Sequence, residues 1–181
     1  MPKFIRLGWV ILVSLLAIAF CVRSSFYKMR SSYDLTVSER DTLTKLAITA
    51  LKNSEVPVSC LIIYSGKVVA KGYNTENRDC NLGGHAEINA LSDLVRQVGK
   101  KTFNGMNRDK LILITTYEPC LMCSGAIIEN RIRKVFFVGE KGLAHWIKNE
   151  MKIFRYEWNK QRAEPIGLQD SLFRLSPDYH P

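Results

Sequence analysis

"TTYEPCLMCSGAII", residues 115–128, joins two kinds of hydrophobic pattern in fourteen residues. It completes the apolar run "KLILITTY" (110–117), the mark of a strand covered on both faces. After Pro119, a residue suited to helix entry, the spacing becomes helical. Cys120 and Cys123 stand three apart, so both thiols fall on one face of that helix. A helix N-terminus lowers thiol pKa, and the thiolate is the metal-binding form, so the position prepares both sulfurs for zinc.

A second helix start lies upstream in "GGHAEINAL", residues 83–91. "HAEINALSDLVRQV" reads as a helix with Ile88, Leu91, Leu94 and Val95 as its buried stripe. Alone, Glu87 would be an ordinary carboxylate at the positive end of a helix. Set beside the two thiols, His85 supplies a third ligand and leaves the fourth tetrahedral position to water, the pattern of a catalytic zinc site. Zinc brings the pKa of such a water towards about 7. A carboxylate beside the metal, Glu87, can then carry a proton from water to a leaving nitrogen. These parts suit metal-assisted addition of water to a substrate.

The rest of the domain follows the same periodicities. "SERDTLTKLAITALKN" opens it as a helix, with Leu43, Leu46, Ala47, Ala50 and Leu51 on one stripe and Ser38 with Asp41 as a capping pair. "VPVSCLIIY" and "KVVAKGYN" form a hairpin about Ser65-Gly66. "CLMCSGAIIENRI" is helical and "KVFFVGE" a buried strand. Helix–strand–helix–strand after a hairpin implies a parallel section, hence an α/β three-layer sandwich with a mixed sheet.

His85-Ala86-Glu87 and Pro119-Cys120-Leu121-Met122-Cys123 resemble the two metal motifs of the cytidine and deoxycytidylate deaminase superfamily, in order and on the right elements. The resemblance spans roughly residues 38 to 140. "SEVPVSCLIIYSGKVVAKGYN" and "TTYEPCLMCSGAII" look closest to the guanine, cytosine and tRNA adenosine deaminase branch. It implies a five-stranded mixed sheet, one Zn2+ held by His85, Cys120 and Cys123 between two helix N-termini, and Glu87 as the proton carrier. It also implies that Asn74 and the backbone of Ala86 hold the base, and that the chain pairs as a homodimer or larger assembly. Ile127, Ile128 and Ile132 serve the core or that interface. "VRQVGKKTFNGMNRDK" is longer than in compact relatives.

Of the 26 basic residues five lie in residues 1–31, which hold no acid; the remaining 150 residues carry 21 against 17 acids, a net of +4. That bias is too small to argue for nucleic acid. A small nucleobase, nucleoside or nucleotide is the expected substrate, with tRNA adenosine as the alternative. "LGWVILVSLLAIAFCV", residues 7–22, is uncharged between Arg6 and Arg23. It is expected to anchor the full chain in a membrane with the catalytic domain cytosolic, or to be a signal segment cleaved after Ala19 before export. Residues 1–22 are thus a hydrophobic segment, 23–37 a polar linker and 38–181 the deaminase domain.

Two rival classes remain open on the residues alone. A strand followed by Cys-x-x-Cys and a helix is also the thioredoxin-like arrangement of a thiol oxidoreductase, although it leaves His85-Ala86-Glu87 unexplained. A structural zinc module is the other, and Glu87 speaks against it, since a structural site needs no proton carrier.

Overall fold

The computed structural model describes residues 9, 12–18, 32–160 and 172–173. Residues up to Val138 fall in one compact unit and those from Gly139 in a second. Helix α1 (Val37–Lys52) opens the part of the first unit that packs on the sheet. Its cap is Thr36 and not Ser38: the Thr36 hydroxyl accepts from Glu39 N while the Glu39 carboxylate accepts from Thr36 N. The carboxylate three residues after Thr36 completes the reciprocal pair; Asp41, with its shorter side chain, takes no part in it.

Strands β1 (Ser59–Tyr64) and β2 (Lys67–Tyr73) form the expected hairpin. Ser65 and Gly66 both have positive φ (50° and 80°), the conformation that a two-residue turn matched to strand twist requires. Helix α2 (Ala86–Val98), a short helix α3 (Lys100–Gly105), strand β3 (Leu111–Tyr117), helix α4 (Leu121–Glu129) and strand β4 (Lys134–Gly139) follow. The insertion before β3 folds around Arg108, whose guanidinium donates to the carbonyls of Phe103, Met106 and Asn130 and lies 4.4 Å over the Phe103 ring.

The strand order is β2-β1-β3-β4, with β1 antiparallel to both neighbours. A helical crossover leads from β3 to β4, and the sheet is mixed. Alternate residues serve two cores. Cys60, Ile62, Leu111 and Leu113 meet Ala86, Ala90, Leu94 and Ile127 on one face; Leu61, Ile63 and Ile114 meet Leu43 on the other. Helices therefore cover both faces of the sheet. Gly72 of β2 lets α2 settle on it: a Cβ there would lie 2.3 Å from Ala86 O and 2.5 Å from Ala90 N.

Three expectations need correction. Among the described residues the sheet has four strands, not five. After β4 the apolar residues Ile147, Met151, Phe154 and Trp158 recur at helical spacing, and the second unit accordingly carries helix α5 (Leu143–Asn159). Strand β4 is a half-buried edge and not a fully covered strand.

A further correction concerns the amino terminus. Among the described residues no helix is long and apolar enough to cross a membrane. Within Leu7–Val22, Trp9 and residues 12–18 are described and helical. The transmembrane anchor is contradicted, and the membrane location built on it falls with it. The remainder of that run, Ala19 included, lies outside the described residues.

Candidate active site

His85 and Cys120 occupy equivalent places: each is the N-cap residue of its helix, α2 and α4, with extended backbone and no side-chain capping bond. A side chain at that position ordinarily turns back to bond the helix's own N–H groups. Here both turn towards each other. His85 Nδ1 lies 3.5 Å from the sulfur of Cys120 and 3.5 Å from that of Cys123, one turn into α4. All three donor atoms lie within 4.8 Å of one another. A tetrahedral zinc with its usual bond lengths sets a sulfur and a nitrogen ligand about 3.5 Å apart, so the spacing and the donor set both fit that ion.

Glu87, a residue inside α2, is 3% exposed, and its Oε2 lies 3.4 Å from Cys123 Sγ. Burial raises its carboxyl pKa above the ordinary value, against the opposing pull of its own backbone N–H and the Cys123 thiol. The two cysteines divide in character. The hydrogen bond from Cys123 holds Cys120 down at about 4, helped by backbone N–H groups at the helix start and by His85. The same hydrogen bond, burial and the charge of Glu87 raise Cys123. The pair carries one proton where a divalent cation would take two thiolates.

Asn74 and Ala86, the two groups expected at the base, are joined to each other. Ala86 N donates to Asn74 Oδ1 at 2.9 Å in a buried position. One of the first N–H groups of α2 is thereby satisfied from β2's end, and Nδ2 is left as the donor of Asn74.

The segment between Asn74 and His85 carries what the sequence did not reveal. Glu76 Oε2 lies 3.6 Å from His85 Nε2, on the far edge of the ring from the sulfurs. Glu55, 5% exposed, accepts from Arg78 N at 2.8 Å and from Asn77 Nδ2, which ties this segment to the end of α1. Asn89 Nδ2 bonds Tyr73 O and Thr75 Oγ1. The only sequence signal for any of these is the density of polar residues in "NTENRDCNLGG". Cys80 is exposed on the same segment and Cys60 is buried in β1; neither joins the donor group.

The convergence of His85 on both sulfurs and of Glu87 on that of Cys123 removes the thiol oxidoreductase alternative, which has no use for either. Among the described residues the donor group has three members, short of the four that close a structural zinc site.

Comparison with known proteins agrees with this geometry. The chain is 38% identical over 95 residues to a tRNA-specific adenosine deaminase subunit of Schizosaccharomyces pombe, covering 51% of this chain and 23% of that one. It is 38% identical over 84 residues to tRNA-specific adenosine deaminase 2 of Xenopus tropicalis (46% and 49%) and 33% identical over 109 residues to the Aquifex aeolicus tRNA-specific adenosine deaminase (60% and 66%). The chain thus spans from about a quarter to two thirds of these relatives' length. The solved guanine deaminase of Bacillus subtilis shares its fold, with a TM-score of 0.58 at 22% identity over 76% of this chain and 92% of that one. Residues 38–139 match the cytidine and deoxycytidylate deaminase zinc-binding region, and the chain belongs to that family.

Proposed function

We propose that this chain is a zinc-dependent hydrolytic deaminase and that its substrate is an adenosine in RNA. The observation that carries the chemistry is the meeting of His85 Nδ1 with both sulfurs at 3.5 Å beside the buried Glu87. His85, Cys120 and Cys123 would hold the metal. Zinc, when bound, supplies an acidified water as the nucleophile. Glu87 would carry both protons of the attacking water: one to the ring nitrogen that receives the C=N electron pair as the water oxygen bonds the carbon, the other to the amino nitrogen, so that the C–N bond breaks, a carbonyl forms and ammonia leaves. The raised pKa of Glu87 suits a group that must be protonated in mid-reaction. Asn74, with its oxygen committed to Ala86, offers Nδ2 to an acceptor on the base.

The choice of RNA reverses the preference for a free base, nucleoside or nucleotide. That preference rested on a net charge of +4, which bears on long-range attraction and not on which base fits a pocket. The curated relatives named above are tRNA adenosine deaminases, which supports an RNA adenosine. The test is incubation of the zinc-loaded chain with a tRNA bearing adenosine in its anticodon loop, and separately with free adenosine, guanine and cytosine. Inosine in the RNA with matching ammonia release is expected; ammonia from a free base alone would restore the small-substrate reading.

A further inference from the structure

The two ring nitrogens of His85 face different partners. Nδ1 looks at the sulfurs, while Nε2 looks away from them, 3.6 Å from Glu76 Oε2. An imidazole that ligates through Nδ1 keeps its remaining proton on Nε2, and that N–H needs an acceptor. We infer that Glu76 is a positioning residue for the metal: its carboxylate faces the His85 Nε2 edge at 3.6 Å, where it would pair with the N–H of the ligating tautomer and hold the ring plane on the donor triangle. The inference rests on the zinc reading of His85, Cys120 and Cys123.

The backbone is built to keep Glu76 there. Thr75 N donates to Gly84 O at 2.7 Å, and Asn81 N donates to Glu76 O at 3.0 Å, so both sides of residue 76 are tied to the stretch that leads into His85. Gly84 lies flush against this stretch: a Cβ on it would come within 2.9 Å of Glu76 N and 3.0 Å of Glu76 Cα. From below, the buried Glu55 carboxylate holds the next two residues, Asn77 and Arg78. Glu76 is partly exposed and supports neither core. Among the described residues its side-chain contact is to the histidine. A carboxylate behind a ligating histidine raises the ligand's basicity as well as orienting it, and loss of such a partner typically costs about 10- to 100-fold in metal affinity.

The test is zinc affinity by competition with a chromophoric chelator, together with thermal midpoints of the zinc-loaded and zinc-free protein. Glu76→Ala should hold zinc about 10- to 100-fold more weakly. Glu76→Gln, which keeps an acceptor without the charge, should fall between it and the parent. The zinc-free midpoint should not move in either variant, which a merely structural role would not allow. Arg78→Ala, on the same segment and paired on the surface with Asp79, should bind zinc within twofold of the parent. Parental affinity in Glu76→Ala, or an equal loss in Arg78→Ala, overturns the inference. A parent chain that takes up no zinc overturns the metal reading itself, and with it this one.

Discussion

Asn74 Oδ1 accepts the backbone N–H of Ala86 at 2.9 Å, so the residue expected to hold the base first holds the start of the helix that carries His85 and Glu87. The two faces of one amide thereby have separate duties. Asn74→Asp keeps the acceptor oxygen and loses the donor. That variant should retain its fold and its zinc while its kcat/KM falls by on the order of 10- to 100-fold, the size of one lost hydrogen bond to a buried partner. Asn74→Ala should in addition lower the melting temperature. Unchanged turnover in Asn74→Asp would remove the residue from substrate binding.

Zinc uptake should release protons. In the metal-free chain Cys120 is held down at about 4 while Cys123 is raised, so near neutral pH one thiol proton remains in the pair. The metal needs both sulfurs as thiolates and must displace that proton. Apparent zinc affinity should therefore rise with pH, by about tenfold per unit between pH 7 and 8. Affinity independent of pH across that window would show that Cys123 is not a ligand. Calorimetry in buffers of different ionisation enthalpy counts the proton directly.

Gly72 is the tightest contact beneath the site. With a Cβ 2.3 Å from Ala86 O, Gly72→Ala must lift the start of α2 from the sheet. The expected cost is about 1–3 kcal/mol of stability, as for other overpacked cores. Because the displaced residues adjoin His85, zinc should also be lost more readily than from the parent. Chemical denaturation and chelator competition on the same sample separate the two effects.

On α4, adjacent isoleucines have opposite surroundings: Ile127 is 5% exposed and Ile128 is 70% exposed. Ile127→Ala should cost about 2–5 kcal/mol, since it empties part of the core beneath the site. Ile128→Ala should change stability by less than about 0.5 kcal/mol in a monomer. A concentration-dependent loss in Ile128→Ala would mean that a second copy covers this face.

What the sequence made legible was what is local. Cys120 and Cys123 share a helix face by spacing alone, and the stripe of α2 placed His85 and Glu87 at a helix start. The hairpin followed from Ser65-Gly66, and the covered strand β3 from an unbroken apolar run. Contacts across loops were not legible. Nothing in the spacing of Glu76 and His85 says that the eight residues between them fold back to bring them together, and Glu55 reaches the same segment from another element. The cap of α1 was misplaced by two residues because Thr36 and Ser38 both fit a capping pattern, and only the carboxylate of Glu39 chooses between them. "KVFFVGE" is as apolar as an inner strand, yet strand order puts it at the edge. The run Leu7–Val22 was read from its hydropathy and its sixteen uncharged residues, whereas among the described residues no helix is long and apolar enough to cross a membrane.

The most direct measurement of the proposed chemistry is turnover and zinc content of Glu87→Gln on the same preparation. The amide cannot accept and return a proton, whereas His85, Cys120 and Cys123 remain in place. Zinc stoichiometry and the circular dichroism spectrum should match the parent, and inosine formation should fall by on the order of 100-fold or more. Parental turnover by a zinc-loaded Glu87→Gln chain would contradict the proposal that this carboxylate carries the proton to the departing ammonia.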